Sequence, residues 1–481
     1  MSTRTMRRLV GIVAAASLAL TACSSADSTD DGSEEPTTDG TATETEDDGS
    51  EEPMADGEPI RVGVITSTSG ALSSYGGQFV AGFEAGLAYA TDGTNAVDGR
   101  PIEVTYEDPA ADPAQATQIV TDLIGQGVNI ITGTVVSGVA LQVAPLAEQN
   151  NILYISGPAA TDGITGINRN TFRSGRQSFQ DITTAAQIIG DVDGQSVTVF
   201  AQDSAFGQAN VAAVEAVLGG AGATVDSILV PAETNDFTPF AVRANDAAPD
   251  LLFVAWAGET AGAMWESLDQ QGVLDSTTVA TGLDQRASYE TFGSAATGID
   301  FLSHYVAEAP DNEVNAYMTA NTEADLFTPD GFVAAQMIVH AIEEAGGNED
   351  VDAMITALEG WTFQAPKGEQ TIRAEDHAML QPSSRSRSSR TPTGRWSPSR
   401  SRPSTRTSWP RRSLARTADP RGLRAGSGRV SGRTPAPACS TSATNGRETC
   451  DGHRRTAHPR AWPDHRGQPH RRGPRPRGRR W

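Results

Sequence analysis

Short apolar runs alternate with amphipathic stripes along most of this chain, and that order limits the fold more than any other feature of the sequence. The first run is Ile60-Arg61-Val62-Gly63-Val64-Ile65, followed by a Gly/Ser-rich loop from Thr66 to Gly77. Val80, Phe83, Leu87 and Ala90 then recur at steps of three and four, the spacing of one helix face. A second run, Ile102 to Tyr106, ends at Asp108-Pro109, and Asp112-Pro113 reads as an N-cap with proline at the first helical position. Ile119, Val120, Leu123 and Ile124 supply that helix's apolar face before the next run, Val128 to Gly133. Strand, helix and strand in succession imply βαβ units, and so an α/β protein with doubly wound, mostly parallel sheets.

The pattern restarts at Ser196–Phe200, with further runs at Thr224–Leu229, Leu251–Val254 and Thr278–Ala280. Two sets of strands imply two lobes. Ligands of open parallel sheets bind beyond the carboxyl ends of the strands, where loops present free N–H groups. In the first lobe those loops hold Thr134 to Gly138 and Ser156 to Thr161; in the second they hold Asp203 to Phe206, Trp256 to Glu259 and Gly282 to Asp284. Hydroxyls and amides on one side suit an anion. An acid and aromatics on the other suit an ammonium and an apolar group, which together describe a zwitterion site in a cleft.

Composition separates the ends from this body. Residues 381–481 carry 25 arginines and four acids, a net +21, whereas the preceding 380 residues carry 12 basic and 56 acidic side chains, a net −44. A body so acidic repels phosphate backbones, which argues against nucleic-acid binding. Arg4, Arg7 and Arg8 precede an apolar run, Leu9 to Leu20, too short to cross a hydrocarbon core of about 30 Å, so it reads as a secretory signal. Ser24 to Glu58 holds 14 acids and no base, the composition of a disordered tether. The cysteines are Cys23, Cys439 and Cys450, so the body has no thiol for a disulfide, a zinc site or nucleophilic catalysis. His304, His340 and His377 are dispersed without metal spacing, and no Gly-x-Ser-x-Gly elbow or phosphate loop occurs. Neither an enzyme nor a metal or cofactor is expected.

The Ser-Gly-Ala-Leu-Ser-Ser-Tyr-Gly run after the first strand, Glu107-Asp108-Pro109, Ile155 to Thr161, Phe206-Gly207-Gln208, Lys367-Gly368 and Ile372 to His377 together carry a resemblance. Residues 59 to about 382 resemble the type I extracellular solute-binding proteins of ABC importers, in the leucine/isoleucine/valine-binding branch. Leu20-Thr21-Ala22-Cys23 resembles a lipobox, which implies lipidation at Cys23. The resemblance implies a two-lobed periplasmic-binding-protein type I fold, a monomer anchored to the outer face of the cell membrane, and an ABC permease as partner. It implies an amino-acid ligand held by Ser137, by Ala159, Ala160 and Thr161, by aromatic positions at Tyr75 and Phe206, by Ala257, and by Asp284 paired with the ammonium. Branched-chain binders tend to have Tyr where this chain has Phe206 and Ala257, and Glu where it has Asp284. An aromatic-acid or amide binder, and a sensor without transport, therefore stand as alternatives.

The family passes its chain between lobes about three times, which places the passages near Arg176, Tyr305 and Gly360. The expected organisation is a signal at 1–22, lipidated cysteine and tether at 23–58, lobe 1 at 59–176 with 306–360, and lobe 2 at 177–305 with 361–382. Residues 383–481 are expected to be a disordered Arg/Ser/Pro-rich tail. From Ser383 the text turns to Arg, Ser, Pro and Gly, residues that GC-rich codons give out of frame, and the family's last apolar β segment is missing. A frameshift near codon 382 accounts for both.

Overall fold

The computed structural model describes residues 57–283, 285, 286, 292, 299–390, 396–399 and 403–404. The signal, Cys23, the tether before Gly57, Asp284 and most of the tail lie outside the described residues.

Lobe 1 begins with β1 (Ile60–Ile65), α1 (Ser73–Ala90), β2 (Ala96–Val97), β3 (Arg100–Glu107), α2 (Pro113–Gly125), β4 (Ile130–Gly133), α3 (Ser137–Asn150), β5 (Leu153–Ser156) and β6 (Thr171–Arg173). Its strand order is β2-β3-β1-β4-β5-β6, parallel except for β2. Successive strand residues point to opposite faces. Ile130, Leu153 and Ile155 join one core cluster, whereas Ile131 and Tyr154 join another. Helices cover both faces, so these strands read as continuous apolar runs. The Asp112 carboxylate accepts from the Ala114 amide at 2.7 Å, capping α2 as its sequence signal anticipates.

Lobe 2 contains α4 (Ser178–Ile189), β7 (Ser196–Gln202), α5 (Ala205–Val217), β8 (Thr224–Val230), α6 (Thr238–Ala247), β9 (Leu251–Ala255), α7 (Ala261–Gln270), α8 (Val273–Ser276), β10 (Thr278–Thr281) and β11 (Ile299–Ser303). Its parallel strands run β8-β7-β9-β10-β11, matching the β3-β1-β4-β5-β6 plan of lobe 1. In both sheets the order reverses beside the first strand, which puts a topological switch point between β1 and β4 and another between β7 and β9. Among the described residues no helix is long and apolar enough to cross a membrane. The fold is that of a type I periplasmic binding protein.

The chain leaves lobe 1 after β6 and enters α4 through residues 174–177, then returns after β11 toward α9 (Glu313–Asn321), α10 (Thr328–Glu344) and α11 (Val351–Leu358). The third passage lies some twenty residues beyond Gly360. A small antiparallel sheet, β12 (Thr362–Ala365), β13 (Gly368–Ile372) and β14 (Met379–Leu380), buries Phe363, Ala365, Ile372 and Met379 in the lobe 1 core, so residues 361–380 stay with lobe 1. Passage occurs at Gln381-Pro382. A run of four apolar anchors outweighs a glycine as the marker of a boundary.

The boundary of the tail also moves. β15 (Ser383–Arg390) pairs antiparallel with β11, Phe301 opposite Ser386 and Leu302 opposite Arg385, and is followed by β16 (Trp396–Ser399) and β17 (Pro403–Ser404). A backbone ladder needs no particular side chains, and the edge of β11 offers unpaired N–H and C=O groups. Sequence from Ser383 onward thus occupies a strand position that its Ser/Arg composition would not select.

Two predictions follow from packing at these places. α1 and α10 approach through glycines: a Cβ on Gly331 would lie 1.9 Å from the Phe79 carbonyl oxygen, and one on Gly82 would lie 1.9 Å from that of Thr328. Gly331→Ala must force the helices apart, with an expected loss of about 1–3 kcal/mol in a urea melt. For the tail, resequencing around codon 382 is expected to restore a frame with apolar residues alternating through the β15 position. Arg-rich peptides from 383–481 in a digest of the natural protein would show the present tail to be genuine.

Candidate functional site

A cavity of about 290 Å³ lies between the lobes, lined from both sheets at their carboxyl ends. Its volume is at the small end for ligand sites and suits a solute the size of an amino acid or a benzoate. Apart from Phe327, every wall segment follows a strand or a passage. From lobe 1 come Leu72 and Tyr75 after β1, Ala111 after β3, Val135 to Ser137 after β4, Pro158 and Ala160 after β5, and Phe327 before α10. From lobe 2 come Gln202, Ser204 and Phe206 beside β7, Ala232 after β8, Ala257 and Gly258 after β9, and Leu283 after β10. Arg176 enters from the first passage.

The β4–α3 turn shows how backbone places the wall. Gly133 has φ +106°, and a Cβ there would lie 2.3 Å from the Ile65 carbonyl oxygen. Thr134 follows at φ +59°, a costly conformation for a β-branched residue. Its hydroxyl is within 2.7 Å of the Tyr154 hydroxyl and 3.0 Å of that of Ser156, and its amide donates to the Ile65 carbonyl. These bonds hold the strained turn, which aims Val135, Val136 and Ser137 into the cavity.

Of the residues expected to meet ligand, Tyr75, Ser137 and Ala160 from lobe 1 and Phe206 and Ala257 from lobe 2 line the same cavity. Ser137 is the first residue of α3 and not its N-cap; its Oγ accepts from the Thr161 amide at 3.3 Å. Ala159 and Thr161 fall outside the lining. Ala159 is fully buried in the lobe 1 core, its amide donates to Thr134, and its carbonyl accepts from Arg173 at 2.9 Å. Thr161 uses its hydroxyl to cap the turn at Asp162–Ile164 and its carbonyl to accept from Arg173. These two residues support the wall from behind. Asp284 lies outside the described residues.

Sequence reasoning placed Val135, Ser204 and Leu283 in the expected binding loops without singling them out, and missed Phe327, Gln202 and, above all, Arg176 as cavity residues. Phe327 stacks obliquely on Tyr75 with ring centroids 4.7 Å apart. The Arg176 guanidinium lies 5.6 Å from the Phe327 ring, its Nη1 donates to the Pro158 carbonyl at 2.7 Å, and its Nε faces Asp181 at 3.2 Å. Burial pushes the Asp181 carboxyl up to about 6, with the nearby Arg176 and Lys367 charges pulling the other way. One signal for Arg176 was available: an arginine in a chain so poor in bases, just past a strand and inside an expected passage.

A second chamber adjoins the first across Ala71, Tyr75, Ala257, Gly258 and Leu283 and reaches Trp256, Trp265 and Phe292. Trp265 and Phe292 also belong to the lobe 2 core, and the Trp256 indole N–H donates to the Thr260 hydroxyl at 3.1 Å. The floor of the cleft is therefore continuous with the core of the second lobe.

Comparison with known proteins places this geometry in a family. Residues 59–387 match the family described as periplasmic binding protein. A Leu/Ile/Val-binding protein homolog 6 from Brucella abortus (strain 2308) is 27% identical over 336 residues, covering 67% of this chain and 85% of that protein. Among solved structures, an ABC-type branched-chain amino acid transporter from Rhodopseudomonas palustris CGA009 is 31% identical with a TM-score of 0.59, covering 72% of this chain and 96% of that one. A solute-binding protein of an ABC transporter from Rhodopseudomonas palustris BisB5, in complex with 3,4-dihydroxybenzoic acid, is 26% identical with a TM-score of 0.61, covering 70% and 95%. With two switch points facing one cavity and a family match across two-thirds of its length, the chain belongs to the periplasmic binding protein family.

Proposed function

We propose that this protein is the extracytoplasmic solute-binding component of an ABC importer, and that its cleft captures a small carboxylic acid with an apolar body, an amino acid of the leucine type being the first candidate. The observation that carries the reading is the cavity itself. Both sheets present their carboxyl ends to it, so a ligand there contacts both lobes and favours their closure by its differential affinity for the closed state. Tyr75, Phe206 and Phe327 would enclose the apolar body, with Ser137 and the amides near Ala160 reaching the carboxylate.

The same wall supports a second reading. An ammonium needs an anionic or carbonyl partner, and in lobe 2 that role falls to Asp284. A benzoate-like acid needs none, and the solved relative from strain BisB5 holds such an acid. A permease in the membrane would receive either solute. Lipidated Cys23 and the acidic tether would hold the receptor near it, and a sensor role would use the same cleft.

A thermal-shift panel on the full chain separates the readings. L-Leucine, L-valine and L-phenylalanine at about 100 times Kd are expected to add about 2.7 kcal/mol, several degrees in Tm. If only benzoate, 4-hydroxybenzoate or phenylacetate raises Tm, the amino-acid reading is wrong and the aromatic-acid reading replaces it. Asp284→Ala is expected to weaken amino-acid binding by about 2–5 kcal/mol in calorimetry and to leave benzoate binding unchanged. For the anchor, Cys23→Ser is expected to move the protein from the membrane fraction to the surrounding medium.

A further inference from the structure

Arg176 is the one charged side chain on the described wall of the cavity, and it is almost wholly buried. Its three nitrogens are not equivalent. Nη1 is held by a lobe 1 carbonyl, that of Pro158, and Nε faces a carboxylate on the first helix of lobe 2, that of Asp181. Nη2 makes no hydrogen bond among the described residues, and Arg176 lines the cavity. Phe327 flanks the guanidinium, and burial out of bulk water strengthens any charge contact made there.

The neighbourhood of this group is crowded with charge. Lys367, on the turn between β12 and β13, pairs with Asp330 of α10 at 2.8 Å and bonds Gln381 in the third passage at 2.8 Å. Arg173 lies at the end of β6, Asp162 faces it, and His304 sits in the second passage, its ring held neutral by burial and by the Arg176 and Lys367 charges. Asp181 feels Arg176, Lys367 and Asp330. All three passages thus contribute to one buried cluster, and Arg176 is the member that also reaches the ligand space.

We propose that Arg176 is the carboxylate anchor of the cleft and that it couples capture to the hinge, because the guanidinium edge offered to the ligand belongs to the same group that ties Pro158 of lobe 1 to Asp181 of lobe 2. This rests on the solute-capture reading and narrows it to monocarboxylates. Arg presents a planar fork that matches a carboxylate, so an acid should be preferred over its neutral isostere. A carboxylate on Nη2 competes with Asp181 for the same cation. Since Asp181 loses its proton near pH 6, the competition is strongest above that pH and fades below it. Acid affinity therefore rises as pH falls from 7.5 to 5.5, and binding in that window takes up a proton.

The test measures acid against amide on the full chain: L-leucine with L-leucinamide, and benzoate with benzamide, by calorimetry at pH 7.5 and 5.5. The expected result is at least a tenfold preference for whichever acid binds, lost in Arg176→Gln and partly kept in Arg176→Lys. Asp181→Asn is expected to bind the acid equally at the two pH values. Apo melting temperatures check that each variant is folded, and the Lys variant serves if the Gln variant is not. Equal binding of acid and amide by the wild type, or an acid preference that survives removal of the guanidinium, would overturn the anchor while leaving solute capture intact. Failure of every acid in the panel to bind would overturn the capture reading and the anchor with it.

Discussion

The buried charge cluster at the passages between the lobes is the constraint on which the rest of this structure depends. Lys367 and Asp330 are fully enclosed, and separating such a pair would strand a charge in the interior at a cost of about 3–5 kcal/mol. The pair draws α10, the β12–β13 turn and the third passage to one point. Arg173 adds the first: its Nη2 donates to the carbonyls of Ala159 and Thr161, which fixes the β5 loop behind the cavity wall. A lobe movement that broke these bonds would be opposed by the full desolvation cost.

Close backbone approach does for the cavity wall what the cluster does for the hinge. At Gly207 a Cβ would lie 1.8 Å from the Gln202 carbonyl, so only glycine lets α5 start tight against the end of β7 and present Phe206 to the cleft. The same economy appears where Arg373 pairs with Asp376 and His377 stacks on Phe172 at 3.8 Å while its Nδ1 meets the Thr171 carbonyl. That loop clamps β6 to the small sheet. The Ile372 to His377 segment, which carried part of the family resemblance, is thus structural, and so is Lys367.

What was legible in the sequence is what periodicity encodes. β1, β4, β7, β9 and β10 are short runs buried on both faces, and their apolar text marked each of them. The loops after those strands were likewise legible, since parallel sheets bind ligand at one end only, and within them the family resemblance singled out Tyr75, Ser137, Ala160, Phe206 and Ala257, all of which line the cavity. Contacts between distant segments were not legible. Whether Ala159 faces the cavity or the core depends on a half-turn of an irregular loop, and nothing periodic records it. Phe327 precedes a helix far along the chain and meets Tyr75 only because Gly82 and Gly331 let α10 seat against α1. β15 was hidden for the opposite reason, as a backbone edge pairs with a segment whose side chains give no strand signal.

Charge acts on this protein at two ranges, and the two oppose each other for an anionic solute. Residues 1–380 carry a net −44, whose field slows the approach of an anion from solution. That field is screened over about 8 Å at physiological ionic strength, so it vanishes a short way from the surface. Arg176 works inside that distance, next to the Phe327 ring and out of bulk water, where a single charge contact is several times stronger than at the surface. A zwitterion would feel no net repulsion on approach and would still meet the guanidinium on arrival. The acidic exterior and the cationic floor together therefore favour solutes whose negative charge is carried at one end and balanced elsewhere, which is the electrostatic case for the amino-acid reading over the simple acid.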